Sequence, residues 1–216
     1  MSGASPGRGR FITLEGPEGS GKTTAARHLV QWLEVRGIPS LLTHEPGGTP
    51  LGEEVRRIVL HMRGMSDDLD PRADALLYAA GRAQHVARVI RPALERGEWV
   101  VCARYTDSSL AYQGAGYGND MADLRRLQDF ATDRVRPDLT LLLDVPVEVG
   151  LARTRRRSEW NRFEDTQEVV FFERVRAAYL ALAAEEPDRF EIVDGSGSVE
   201  AADDAIRAVV ARRLSS

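Results

Sequence analysis

The chain has 216 residues, 43% of them hydrophobic, and a formal net charge of −4. That length suits one ordinary domain with a real core, and the mildly acidic balance excludes a global basic field for nucleic acid or an anionic membrane. Cys102 is the single cysteine, which rules out an internal disulfide and a cysteine-based metal site. No apolar run approaches the ~18 residues of a membrane span, so the expectation is a soluble, cytoplasmic protein.

Residues 1–10 are rich in Gly, Ser, Pro and Arg without an apolar core. They read as a disordered N-terminal tail and not as a signal peptide. The apolar stretch Arg10–Glu15 reads as a strand. It runs into Gly16-Pro17-Glu18-Gly19-Ser20-Gly21-Lys22-Thr23, a loop of the form G-x-x-x-x-G-K-T, and a helix is predicted over Gly21–Val35. In such a loop the glycines let consecutive backbone N–H groups point inward at a polyphosphate, and the helix start adds its positive end. Lys22 reaches the β- and γ-phosphates, Thr23 offers its hydroxyl to Mg²⁺, and Thr24 bonds the α-phosphate. The chain is expected to bind a nucleoside triphosphate.

A second strand, Ser40–His44, ends in Glu45-Pro46-Gly47-Gly48-Thr49, a tight turn with free backbone amides. The helix Leu51–Met62 carries Arg56 and Arg57, either a fork for a phosphate or a solvated helix face. A long helix is predicted over Ala73–Glu95. In it Tyr78 and Arg82, four apart, share a face: a ring and a guanidinium for one planar ligand, or a buried tyrosine and a surface arginine. The third strand, Trp99–Ala103, delivers Arg104 to a strand end, where it can hold an anion. Beyond it Ser108, Ser109, Tyr112 and Gln113 lie in what reads as a polar loop.

The remaining readings are helices Asp123–Val135, Val147–Arg157, Val169–Ala184 and Glu200–Leu214, and strands Leu139–Asp144 and Phe190–Val193. Short strands rich in Val, Ile and Leu, alternating with helices, predict an α/β fold: a doubly wound parallel sheet of five strands with helices on both faces. Ligands in such folds lie at the carboxyl ends of the strands. No repeat or linker divides the chain, so residues 11–216 are expected to form one domain. Arg153, Arg155, Arg156, Arg157 and Arg162 crowd a short segment with few acids nearby, and Arg153 and Arg157 share a face. Mobile arginines of this kind neutralise charge that develops in phosphoryl transfer, which makes residues 153–165 or so a candidate lid.

Taken together, these residues resemble the bacterial thymidylate kinase family, a P-loop nucleoside monophosphate kinase architecture. The likeness runs from about Phe11 to Arg213. It is carried by Glu15–Thr24, Glu45–Thr49, Leu76–His85, Arg104-Tyr105 with Ser108–Gly114, Arg136–Thr140 and Leu143–Val145. It implies transfer of the γ-phosphoryl of ATP to dTMP, giving dTDP and ADP with Mg²⁺, for dTTP synthesis in a homodimer. By the same resemblance Gly16, Pro17, Glu18, Gly19, Ser20, Gly21, Lys22, Thr23 and Thr24, with Arg153 and Arg157, bind ATP. Glu18, Pro46, Arg56, Tyr78, Arg82, Arg104, Ser109, Tyr112 and Gln113 bind dTMP, with Tyr78 stacking on thymine and Arg82 contacting the base. Lys22, Arg104, Arg153 and Glu18 form the implied catalytic set, and Thr23, with Glu18 as a second candidate, faces Mg²⁺. The phosphate loop lacks a basic residue beyond Lys22, so the chain resembles the type whose catalytic arginine sits in the lid. Adenine contacts are expected from the lid and the loop near Gly195–Val199.

Three positions depart from the family pattern. Ala103 stands where the resemblance expects an aspartate before Arg104, a carboxylate that would organise Mg²⁺; Glu15, Glu18 and Asp107 are candidates to replace it. His44 replaces a basic Arg, and Asn161 the Asp before Arg162. Two other classes stay open: a nucleoside kinase on the same scaffold, and a nucleotide-binding homologue silenced by Ala103. A GTPase switch is disfavoured by the lack of an Asn-Lys-x-Asp motif, and an ATPase motor by Val145 after Asp144.

Overall fold

A computed structural model describes residues 8–62, 69–155 and 166–214 of the chain. Five strands form one sheet in the order β2-β3-β1-β4-β5: β1 (Phe11–Glu15), β2 (Ser40–His44), β3 (Trp99–Ala103), β4 (Leu139–Asp144) and β5 (Phe190–Asp194). Every pairing is parallel. The helices are α1 (Lys22–Val35), α2 (Pro50–Met62), α3 (Pro71–His85), α4 (Arg91–Glu95), α5 (Thr106–Ser109), α6 (Met121–Thr132), α7 (Val147–Arg155), α8 (Thr166–Glu185) and α9 (Val199–Leu214). The expected doubly wound α/β fold is present, with strand limits within a residue of those read from the sequence.

Both faces of the central strands β1, β3 and β4 are buried, as continuous apolar strands require, while the edge strands β2 and β5 are partly exposed. Ile12, Leu14, Val101, Leu139 and Leu141 pack with Leu29 and Leu33 of α1 and Ile206 of α9. On the opposite side Leu142 joins Phe172, Val175 and Tyr179 of α8, while Phe11, Val100 and Cys102 pack on Ile90 and Leu94. One polar pair crosses the interior, Thr13 Oγ1 to Thr140 Oγ1 at 2.9 Å.

β1 lies between β3 and β4, so the chain leaves it on one side and later returns on the other. The crevice at its carboxyl end is where such a sheet receives a ligand. Registers place Leu14 beside Ala103 and Ala103 beside His44, so the loops after β1, β2 and β3 open at one edge.

Three local features differ from the sequence reading. Gly9, read as tail, is buried, and its N–H bonds Leu94 O at 2.9 Å. The long helix 73–95 is interrupted by a π-helical turn, Val86–Ile90, between α3 and α4. The polar segment after β3 is helical, with α5 passing into a second π-helical stretch, Leu110–Gly116. Serines and glycines there concealed its periodicity, and widened turns of this kind recur at functional sites.

Candidate active site

The phosphate-binding loop is shaped by backbone geometry that few residues tolerate. Gly16 and Gly19 have φ of 143° and 71°. A Cβ on Gly19 would lie 2.1 Å from Gly150 O, and one on Gly16 would lie 2.4 Å from Leu143 O. Glycine is therefore required twice over, by conformation and by space. Lys22 folds back into the loop, where its Nζ donates to Gly16 O (3.0 Å), Pro17 O (2.7 Å) and Ser20 Oγ (3.0 Å). Burial, with the charge of Arg104 adding to it, lowers the Lys22 pKa to about 7. Those same donors suit a bound polyphosphate.

The loop opens onto a cavity of about 400 Å³, lined among others by Glu18, Gly19, Gly21, Lys22, Thr23, Thr24, Ala103 and Arg104. A neighbouring cavity of about 150 Å³ is lined by Glu18, Pro46, Arg56, Tyr78, Arg82, Arg104, Ser109, Tyr112 and Gln113, together with Glu45, Leu60 and Ser108. Every residue that the sequence assigned to the acceptor nucleotide thus converges on one pocket. Glu18, Glu45, Arg56 and Arg104 line both cavities.

Arg104 stands at the tip of β3 with φ 71°, a left-handed conformation rare for a side chain of this size. Its N–H is anchored to Leu14 O at 2.9 Å. The guanidinium donates to Glu18 Oε2 (2.8 Å) and Tyr112 OH (3.3 Å) and lies 4.9 Å from the Tyr112 ring centroid. It is thereby aimed across the junction of the two cavities.

Arg82 is buried, and four elements hold it. Its Nε donates to Glu45 Oε2 at 2.6 Å, Nη1 to Ser109 Oγ at 2.9 Å and to Gln128 Oε1, and Nη2 to Tyr105 O at 2.9 Å. Glu45 Oε1 also bonds His85 Nδ1 (2.9 Å), whose Nε2 bonds Thr43 Oγ1 (2.7 Å). Burial pushes the Glu45 carboxyl up, but Arg82 and the His85 hydrogen bond outweigh it and hold the group below its ordinary range. The surface arginine of the sequence-only alternative is excluded. Sequence reasoning gave no role to Thr43, His85 or Gln128, which lie on separate elements; Glu45 and His85 sat at the ends of segments that carry the resemblance, Glu45–Thr49 and Leu76–His85.

Of the carboxylates weighed as substitutes near Ala103, two are engaged elsewhere. Glu15 is buried and accepts from Tyr105 N (2.7 Å), Ser108 Oγ (2.6 Å) and Tyr179 OH (3.1 Å). Burial, then the Asp107 charge, raises its pKa. Asp107 forms a two-pronged pair with Arg189 at 2.7 and 2.9 Å. Among these candidates Glu18 alone lines the cleft, paired with Arg104.

Arg153 lies apart from the phosphate cavity. Its guanidinium donates to Gly195 O (2.6 Å), Ser196 O (2.9 Å) and Gly197 O (3.1 Å) and lines a third cavity against the other flank of the loop. Arg157, Asn161 and Arg162, with the rest of the candidate lid beyond residue 155, lie outside the described residues.

The family model described as thymidylate kinase matches residues 14–206, which takes in all five strands from the end of β1 onward. The chain belongs to the thymidylate kinase family. Proteins named thymidylate kinase resemble it along almost their whole length. The one from Thermomicrobium roseum is 51% identical over 200 residues, 93% of each chain. That from Pseudomonas fluorescens strain Pf-5 is 50% identical over 188 residues, 87% of this chain and 88% of the relative. The Roseiflexus castenholzii protein is 45% identical over 219 residues, covering 95% of this chain and 94% of its own. Among the described residues no helix is long and apolar enough to cross a membrane.

Proposed function

We propose that this chain transfers the γ-phosphoryl of ATP to dTMP, giving dTDP and ADP. The observation that carries the reading is the wall shared by the two cavities, where Arg56 and Arg104 stand between a phosphate loop and a nucleoside-sized pocket. Two arginines at that junction suit an acceptor that brings its own phosphate, which favours a nucleoside monophosphate over a free nucleoside. Tyr78 supplies a ring face for thymine. Arg82, Ser109 and Gln113 supply polar groups for the base edge, and Tyr112 and Pro46 close the sides.

In-line phosphoryl transfer depends on positioning and on neutralising charge. Lys22 and the loop N–H groups hold the β- and γ-phosphates. Arg104 and Arg56 offset the repulsion between the two anionic substrates as the acceptor oxygen approaches. Glu18, bonded to Arg104, fixes that guanidinium and faces the sugar end of the acceptor. The donor set suits a Mg²⁺ ion that arrives on the triphosphate: the Thr23 hydroxyl and the Glu18 carboxylate both line the loop cavity. No cluster of three metal-ligating side chains occurs among the described residues. Mg²⁺ typically keeps substrate phosphates and waters as most of its ligands. When bound, it neutralises phosphate charge.

Arg153 serves the donor nucleotide from the base side; to reach the γ-phosphoryl it must first release three loop carbonyls. A homodimer packed through helices has apolar surface available in the exposed Leu76 of α3 and Phe130 of α6. A cytoplasmic setting accords with this chemistry.

The test is ADP release from ATP and Mg²⁺ with dTMP, dUMP, thymidine or no acceptor. Release dependent on dTMP, weaker with dUMP and absent with thymidine, is expected. The missing 5-methyl of dUMP costs only about 1–3 kcal/mol, so dUMP remains a poor substrate. Release that ignores the acceptor, or that prefers thymidine, overturns the proposal. A second prediction concerns Arg82: Arg82→Lys keeps the charge but loses the fork that meets four partners. Its KM for dTMP is expected to rise about tenfold or more with KM for ATP unchanged; an unaltered KM for dTMP would reduce Arg82 to a brace in the wall.

A further inference from the structure

The third cavity, about 230 Å³, adjoins the phosphate loop opposite the acceptor pocket. Gly19, Gly21 and Thr24 line both it and the loop cavity. A triphosphate whose γ-end lies at Lys22 and whose α-end lies at Thr24 therefore carries its nucleoside into this third space. One wall is the Arg153 guanidinium, a flat group locked by the three carbonyls of Gly195, Ser196 and Gly197. Such a plane suits the face of a purine. Val199 and Ala202 add apolar surface.

Asp203, on α9, is the carboxylate in this lining. Its side chain is 10% exposed, and its Oδ2 bonds His28 Nδ1 of α1 at 2.5 Å. Arg207 Nη2 stands 4.0 Å from the same oxygen. Among the described residues no donor bonds Oδ1. A nine-tenths buried carboxylate in the lining of a purine-sized cavity, with Oδ2 clamped and no bond to Oδ1 among the described residues, is a built acceptor.

We propose that Asp203 reads the donor base: Oδ1 accepts a hydrogen bond from the exocyclic 6-amino group of adenine and repels the O6 carbonyl of guanine. His28 is the positioning residue that fixes which oxygen faces the cavity. The inference rests on the reading of this cavity as the donor-base pocket. Its force comes from the asymmetry of buried polar recognition. A carboxylate has only acceptors to offer, so a base edge that also presents an acceptor leaves both unsatisfied and in repulsion. Sites that hydrogen-bond a substrate group in this way discriminate far more strongly than apolar ones.

The test is steady-state kinetics of the full chain at saturating dTMP. The donors are ATP, GTP and purine riboside triphosphate, which lacks the 6-amino group. The wild-type protein, Asp203→Asn, Asp203→Ala and Arg153→Ala are compared, and KM for dTMP and the melting temperature report on the fold. Asp203→Asn adds a donor that can meet O6, so its ATP/GTP ratio of kcat/KM is expected to fall at least tenfold, through KM. Asp203→Ala is expected to erase the preference for ATP over purine riboside triphosphate. His28→Ala is expected to weaken the ATP/GTP ratio in the same direction by a smaller factor. Unchanged donor ratios in both Asp203 variants, with KM for dTMP intact, overturn the proposal. Arg153→Ala separates the two levels: higher KM for every nucleotide donor upholds the cavity as the base pocket, whereas no change removes that reading and the Asp203 proposal with it.

Discussion

Lys22→Met is expected to lower kcat by about 10³-fold while leaving the fold intact, the largest loss of any single change considered. Removing one preorganised donor from a phosphoryl-transfer or oxyanion site typically costs about 10²–10³ in rate, and this donor carries a full charge. The Lys22 ammonium is satisfied by two carbonyls and the Ser20 hydroxyl. Its proton is nonetheless loosely held, because burial and Arg104 bring the pKa to about 7. A triphosphate reverses that balance by favouring the charged form. The sign then follows. At pH 8 a lysine of pKa about 7 is roughly nine-tenths neutral, so nucleotide binding takes up nearly one proton per site; at pH 6 the group is already charged and uptake vanishes. Calorimetry of a non-hydrolysable ATP analogue in buffers of different ionisation enthalpy measures this directly. Uptake that is absent at pH 8, or that persists in Lys22→Met, would contradict the assignment.

The second large effect runs the other way: Ala103→Asp is expected to raise turnover about tenfold at saturating ATP and dTMP and to lower the Mg²⁺ concentration required. Ala103 is 5% exposed and lines the loop cavity with Lys22 and Thr23. Its register beside Leu14 and His44 puts a carboxylate there at the mouth of the crevice. Of the neighbouring acids only Glu18 lines the loop cavity, and it is shared with an arginine. Glu15 is tied to Tyr105, Ser108 and Tyr179, Asp107 to Arg189, and Glu18 to Arg104. A tenfold gain corresponds to about 1.4 kcal/mol of transition-state stabilisation, modest for a group that orders metal-bound water. The two predictions are coupled. A carboxylate beside Lys22 raises the lysine pKa, so proton uptake at pH 8 should shrink in Ala103→Asp. Equal or lower turnover with an unchanged melting temperature would mean that this chain orders its metal without a carboxylate at the end of β3.

Much of this is legible in the amino-acid sequence. The phosphate loop is local: its glycines, lysine and threonines act within a few residues of one another, so spacing alone specifies their geometry. Five apolar strands alternating with helices allowed the parallel sheet to be read, because a strand buried on both faces must be apolar throughout. Tyr78 and Arg82 were paired by helical spacing.

What the sequence could not settle lay in contacts between distant segments. Arg82 looked as much like a surface residue as a base reader; the decision came from Glu45, Tyr105, Ser109 and Gln128, which arrive from a turn, a strand end and two helical segments. The helix from Thr106 to Gly116 went unread because its widened turns and small residues carry no clean period. Arg153 could be seen as a lid arginine, yet its three carbonyl partners lie more than forty residues away in the chain. Asp203 and His28, 175 positions apart, meet only because α1 and α9 pack on one face of the sheet. Local backbone chemistry is written in adjacent residues; the environment that fixes a side chain's charge and direction is assembled by the fold.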